Sequence, residues 1–149
     1  MASRETVSDF VSQRTLALVG MSRSGRKFCN AAYKELAAKG LTLHAVHPVA
    51  KEIDGVRCWP SLLELPEAVG GVLVCVPPAQ AERVVQEAHA AGIPRVWLQQ
   101  GSESPAAVRF CEEHGMAVVQ GECILMFAEP AALMHRLHRW IWGLLGKLP

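Results

Sequence analysis

The chain has 149 residues, 50% of them hydrophobic, with 15 Lys+Arg against 14 Asp+Glu and a formal charge of +1. A compact chain of this length suits one domain and buries about 68–70% of its unfolded surface, which excludes a disordered tail protein. The balanced charge excludes a general nucleic-acid binder, so any basic character that matters is local.

The elements alternate along the chain. Met1 to Arg14 lacks the apolar stretch of a signal peptide. Thr15–Val19 is a short apolar run ending at Gly20, and Phe28–Lys39 is a helical pattern closed by Gly40. Thr42–Val46 follows, stopped by His47-Pro48. Pro48–Pro66 interrupts the alternation and reads as an irregular connection with a short helical turn near Ser61–Leu65. Gly71–Val76 is a third strand, stopped by Pro77-Pro78. Gln80–Ala91 repeats Ala81, Val84, Val85 and Ala88 on one helical face and ends at Gly92. Arg95–Leu98 is a fourth strand. Ser104, with Pro105 behind it, caps a helix reaching His114 and Gly115. Met116–Val119 is a fifth strand. Such short Val- and Leu-rich runs, bounded by Gly or Pro, are strands buried on both faces.

Strands alternating with helices predict a doubly wound α/β fold, with a parallel β-sheet and helices on both faces. Ligands bind such sheets outside the carboxyl ends of the strands, where the strand order reverses. That switch point is expected between strand 16–19 and strand 71–76, flanked by the loops at 20–27 and 77–80.

The first of these loops, Gly20-Met21-Ser22-Arg23-Ser24-Gly25-Arg26-Lys27, opens the first long helix. A helix N-terminus offers unpaired N–H groups and partial positive charge, and glycine lets the backbone approach a ligand. Arg23, Arg26 and Lys27 add three charges, and Ser22 and Ser24 add hydroxyl donors, so the loop suits a phosphate. It is not a P-loop, because Lys27 stands where that motif holds a magnesium-binding Ser or Thr. It is not the dinucleotide fingerprint either: Ser22 replaces the second Gly, and no acidic residue ends the second strand. Ordinary NAD therefore fits poorly, while the basic loop keeps NADP as an alternative.

Leu18-Val19-Gly20-Met21-Ser22, His47-Pro48, Glu52-Ile53-Asp54-Gly55, Ser61 to Glu67, Val96-Trp97-Leu98-Gln99-Gln100-Gly101 and Cys123 follow one another in order. Together they resemble the stand-alone CoA-binding proteins, similar to the N-terminal CoA-binding domain of the succinyl-CoA synthetase α subunit. The resemblance runs from near Arg14 to near Met126. It implies a Rossmann-like CoA-binding domain over residues 1–128, with the CoA diphosphate at Gly20–Arg26 and Arg26 matching a basic residue of that loop. It implies further contacts near His47 and Pro48, from Val76 and Pro77, and from Gln99, Gln100 and Gly101. His47 stands where the family often has Asn, and Lys27-Phe28 where it often has Pro-Ser. The whole synthetases use a phosphorylated histidine in another domain, so ligation is not expected here.

Other residues leave alternatives open. Cys29, beside the loop, reads as a packed small residue or as a thiol able to form a mixed disulfide with CoA. None of the five cysteines forms a C-x-x-C pair, which argues against a zinc ribbon. His44 and His47 would point to opposite faces of a strand, so no metal site is expected. Trp97 reads as core or site wall. Residues 129–149 form a helical extension, with Leu133, Leu137, Trp140, Ile141, Leu144 and Leu148 on one stripe. That stripe would pack on the domain, pair two copies as a homodimer, or lie on a membrane surface.

The chain is therefore expected to be a soluble, cytoplasmic, non-catalytic binding module for CoA or acyl-CoA, with no membrane span. One alternative is an NAD(P)-binding enzyme or redox sensor, and another an interaction protein working through its C-terminal helix.

Overall fold

The structure, a computed structural model, describes residues 4–23 and 28–126. Ser24, Gly25, Arg26 and Lys27 lie outside the described residues. So do the expected C-terminal helix, the domain boundary at 128/129 and the homodimer contact built on that helix.

Seven strands form one sheet among the described residues. They are β1 (Thr15–Val19), β2 (Thr42–Val46), β3 (Glu52–Ile53), β4 (Val56–Trp59), β5 (Gly71–Val74), β6 (Arg95–Leu98) and β7 (Ala117–Gln120). Their order is β3-β4-β2-β1-β5-β6-β7, and every neighbouring pair is parallel except β3 with β4. The chain leaves β1 for β2 on one side and later returns to β5 on the other. The strand order thus reverses between β1 and β5, the expected switch point.

Side chains alternate across the sheet and fill two cores. Leu16 and Leu18 of β1, Leu73 of β5 and Trp97 of β6 face α1 (Arg4–Val11) and α2 (Phe28–Ala38). Ala17, Val72, Val74, Val96 and Leu98 face α3 (Pro78–Ala90) and α4 (Pro105–Glu113). The apolar runs without polar alternation exist because both faces of the sheet are covered. Trp97 is fully buried, and its indole N–H donates to the Glu122 carbonyl at 3.1 Å. Phe10 of α1 meets it with ring centroids 5.2 Å apart, a contact worth about 0.5–1.5 kcal/mol beyond area burial.

Several elements differ from the sequence reading. Residues 48–66 are not an irregular connection throughout. They hold the β3–β4 hairpin, which turns at Asp54 and Gly55 with φ of 51° and 79°. Two consecutive positive φ values are what an Asp-Gly two-residue hairpin turn requires. The 3₁₀ turn Leu62–Glu64 follows, capped by the Ser61 hydroxyl accepting from the Leu63 amide. The sheet is consequently parallel only in its larger part. α1 occupies a segment given no element, driven by Val7 and Phe10, which bury one turn apart. β5 ends at Val74 instead of Val76, α3 starts at Pro78 instead of Gln80, and β7 runs one residue later than expected. α4 starts as predicted, with the Ser104 hydroxyl accepting from the Ala107 amide. No described helix is long and apolar enough to cross a membrane.

Candidate functional site

The carboxyl ends of β1, β5 and β6 and the first turn of α2 converge at the switch point. Backbone bonds continue the sheet past its last strand residues: the Cys75 amide donates to Val19 and the Gln99 amide to Val74, at 2.8 and 3.0 Å. Chain segments that have left the strands are therefore still held to the sheet edge. Phe28, Cys29, Cys75, Val76, Pro77, Gln99, Gln100, Gly101 and Ser102 line one cavity of about 230 Å³. All five site residues expected after β5 and β6 lie on its wall. Two larger hollows, of about 440 and 490 Å³, lie off the switch point, beside α4 and between Leu62–Val69 and the end of α3.

Gly20 begins the first loop with φ of +126° and lies against Cys75, the residue that follows β5. A Cβ there would lie 2.6 Å from the Cys75 carbonyl oxygen and 2.9 Å from the Cys75 Cβ. Met21 is a core residue, with its side chain 5% exposed, so its contact with a ligand would come from its backbone. Ser22 is held by Asn30 of α2, which accepts from the Ser22 amide and donates to the Ser22 carbonyl. That amide is thus already committed within the protein. Asn30 was not among the residues singled out from sequence; a polar residue on the buried stripe of α2 was the available signal. Arg23 is exposed at the end of this described stretch.

His47 and Pro48 follow β2. The His47 amide donates to the Trp59 carbonyl at 2.9 Å. Its Nδ1 accepts from the amides of Val49 and Ala50, at 3.1 and 2.8 Å. With Nδ1 occupied as an acceptor, the neutral ring carries its proton on Nε2, the one nitrogen left to donate to a ligand. Burial, and then the positive charge of Arg23, hold the His47 pKa below its usual value of 6.5. His44 points elsewhere and meets the Glu67 carboxylate at 3.0 Å, so the two histidines do not converge. Among the described residues no group of three or more His, Cys, Asp or Glu is placed to hold a metal ion.

Gln99 and Gln100 divide in role. Gln99 is 4% exposed, and its Oε1 accepts from the Ile124 amide at 3.1 Å. Its amide nitrogen has no partner among the described residues, although Gln99 lines the cavity. Gln100 is exposed, and its Nε2 donates to the Gly121 carbonyl. Gly101 has φ of +95°, and its amide donates to the Glu103 carboxylate at 2.7 Å. Two residues distant in sequence also come together here: Cys29 and Cys75 both line the cavity wall, Cys75 packing against the core cluster that holds Cys29.

This arrangement coincides with a family match. The sequence fits the CoA binding domain over residues 14–129. The chain belongs to that family. A CoA binding domain therefore includes β1 to β7 and every site residue described above. The chain is 26% identical over 130 residues to acetate–CoA ligase [ADP-forming] I of Archaeoglobus fulgidus. It spans about a fifth of that relative's length, the match covering 80% of this chain and 19% of the ligase. A conserved hypothetical protein from Pyrococcus furiosus superimposes with TM-score 0.70 at 39% identity, over 74% of this chain and 96% of that one. A hypothetical protein from Pyrococcus horikoshii superimposes with TM-score 0.76 at 27% identity, over 82% and 87%.

Proposed function

We propose that this CoA binding domain holds CoA or an acyl-CoA as a non-catalytic binding module. The observation that carries the reading is the convergence of Phe28 and Cys29 of α2, Val76-Pro77 and Gln99–Gly101 around one cavity at the reversal of strand order, with Gly20 packed against Cys75 on its wall, in a chain of this family.

The residues fit such a ligand in character. The close approach of Gly20 to Cys75 keeps the first loop low over the sheet edge, beneath the place a diphosphate would take. Arg23, with Arg26 and Lys27 beyond it, supplies the charge. His47 presents one N–H donor from a ring kept neutral. The cavity wall of Phe28, Val76 and Pro77 suits the apolar part of a pantetheine arm, and the spare amide nitrogen of Gln99 suits one of its carbonyls. Two backbone amides share the single lone pair of His47 Nδ1, so the neutral ring meets a ligand as a donor through Nε2.

Thermal unfolding with CoA, acetyl-CoA, NAD and NADPH tests the proposal. A ligand at 100 times its dissociation constant adds about 2.7 kcal/mol, a shift of several degrees at this size. A shift with CoA or acetyl-CoA supports the reading. A shift with NADPH alone overturns it in favour of a redox enzyme.

A further inference from the structure

Cys75 follows the last residue of β5, and Cys29 sits in the first turn of α2. Both line the switch-point cavity, and neither is in a disulfide. They differ in access: Cys75 is partly exposed and Cys29 is 1% exposed. An incoming sulfur therefore reaches Cys75 more readily than Cys29. Cys75 cannot drift away from this position, because its amide is tied to Val19 and its backbone lies on Gly20.

We propose that Cys75 and Cys29 form a dithiol that exchanges with the disulfide form of the thiol ligand bound in this cavity. The inference rests on the CoA reading above and deepens it. CoA disulfide enters with one sulfur toward Cys75. The Cys75 thiolate, its proton released to water, attacks that sulfur; an S–S bond forms to CoA, and the first CoA leaves as a thiolate that takes up a proton. Cys29 then loses its proton and attacks the Cys75 sulfur of the mixed disulfide. The Cys29–Cys75 disulfide forms and the second CoA leaves. The balance is one CoA disulfide and two protein thiols giving one protein disulfide and two CoA thiols, so the ligand is reduced and the protein oxidised. Resolving a mixed disulfide needs a second thiol close to the first, and Cys29 on the same cavity wall supplies it. The neighbouring Cys29 side chain, and then burial, push the Cys75 thiol pKa up, so the first attack is slow and quickens as pH rises.

The experiment uses the full chain, reduced and freed of reductant. It is mixed with CoA disulfide or, separately, with glutathione disulfide, then acid-quenched for intact mass and peptide mapping. CoA binding is titrated in parallel. The expected result is a Cys29–Cys75 crosslinked peptide, two CoA thiols per chain, and a rate about tenfold higher with CoA disulfide, because binding concentrates it at the thiols. Cys29→Ala is expected to stop at one CoA adduct on Cys75, and Cys75→Ala to gain none, with melting curves confirming that each variant is folded. If CoA binds and both thiols stay free, the exchange is overturned while the binding reading stands. Equal rates with the two disulfides overturn the directed exchange. If CoA does not bind, both readings fail together.

Discussion

Asn30 holds Ser22 by both its backbone polar groups, accepting from the Ser22 amide at 2.9 Å and donating to the Ser22 carbonyl at 3.0 Å. One amide side chain, itself buried on α2, thus ties the loop after β1 to the helix that the loop feeds. Asn30→Ala removes both of these part-buried hydrogen bonds from the Ser22 backbone. The expected cost is about 1–3 kcal/mol, with CoA binding weakened beyond what the loss of stability explains. Asn30→Asp keeps the acceptor but loses the donor, so its melting point should fall between those of the wild type and the alanine variant. Equal melting points for all three would show that the clasp carries no weight.

Gly20 is the position least tolerant of a side chain. Its φ of +126° is already costly for any L residue, and a Cβ would collide with Cys75 backbone, not with a flexible side-chain end. Gly20→Ala should destabilise by about 1–3 kcal/mol, a fall in melting temperature of several degrees for a chain of this length. Ligand-induced stabilisation should disappear with it, since the loop must lift off β5 to make room. A folded Gly20→Ala that keeps the wild-type CoA shift would remove the loop from the binding site.

How far the site was legible follows from the same geometry. Thr15–Val19 and Gly71–Val74 stood out because a strand covered on both faces has no polar alternation to blur it, and the Gly and Pro residues that end such runs mark the sheet edge. Hence the sequence marks Gly20, Val76, Pro77 and Gln99–Gly101 as edge residues, and they lie at that edge. The β3–β4 hairpin escaped because its strands are two and four residues long, too short for periodicity, and Asp54-Gly55 was read as a family mark and not as a turn. α1 escaped because one helical turn separates its two buried residues, Val7 and Phe10. Cys29 and Cys75 are far apart in sequence, and only the fold, which sets the first turn of α2 and the end of β5 on one cavity wall, brings them together.

Gln99 offers a separate test of structure against binding, because its two amide ends face different demands. Oε1 is occupied by the Ile124 amide, while Nε2 is uncommitted among the described residues. Gln99→Leu removes both and should cost about 1–3 kcal/mol through the orphaned Ile124 amide. Gln99→Glu keeps an acceptor for Ile124 but loses the donor and places a buried charge at the cavity. It should weaken CoA binding more at neutral pH than at low pH, where the carboxyl is protonated and neutral. Identical CoA affinity for Gln99→Glu and wild type would make Gln99 purely structural.

Arg23 and His47 can be tested together, since the arginine's charge helps to hold the imidazole neutral. The folded-state pKa of His47 lies below its unfolded value of 6.5, so the unfolded chain takes up this proton first. The stabilising effect is complete above the unfolded pKa and is lost as pH falls through it toward the folded value. His47→Asn should flatten that acid-side fall, because an Asn oxygen can accept the same amides two and three residues on without titrating. Arg23→Ala should do so in part, and the His47 ring resonances followed by NMR should titrate closer to pH 6.5. The same variant should weaken CoA and lower the salt dependence of its binding, as expected for the loss of one exposed cationic contact to phosphate. If the His47 titration moves but CoA affinity and its salt dependence do not, Arg23 shapes the imidazole without touching the ligand.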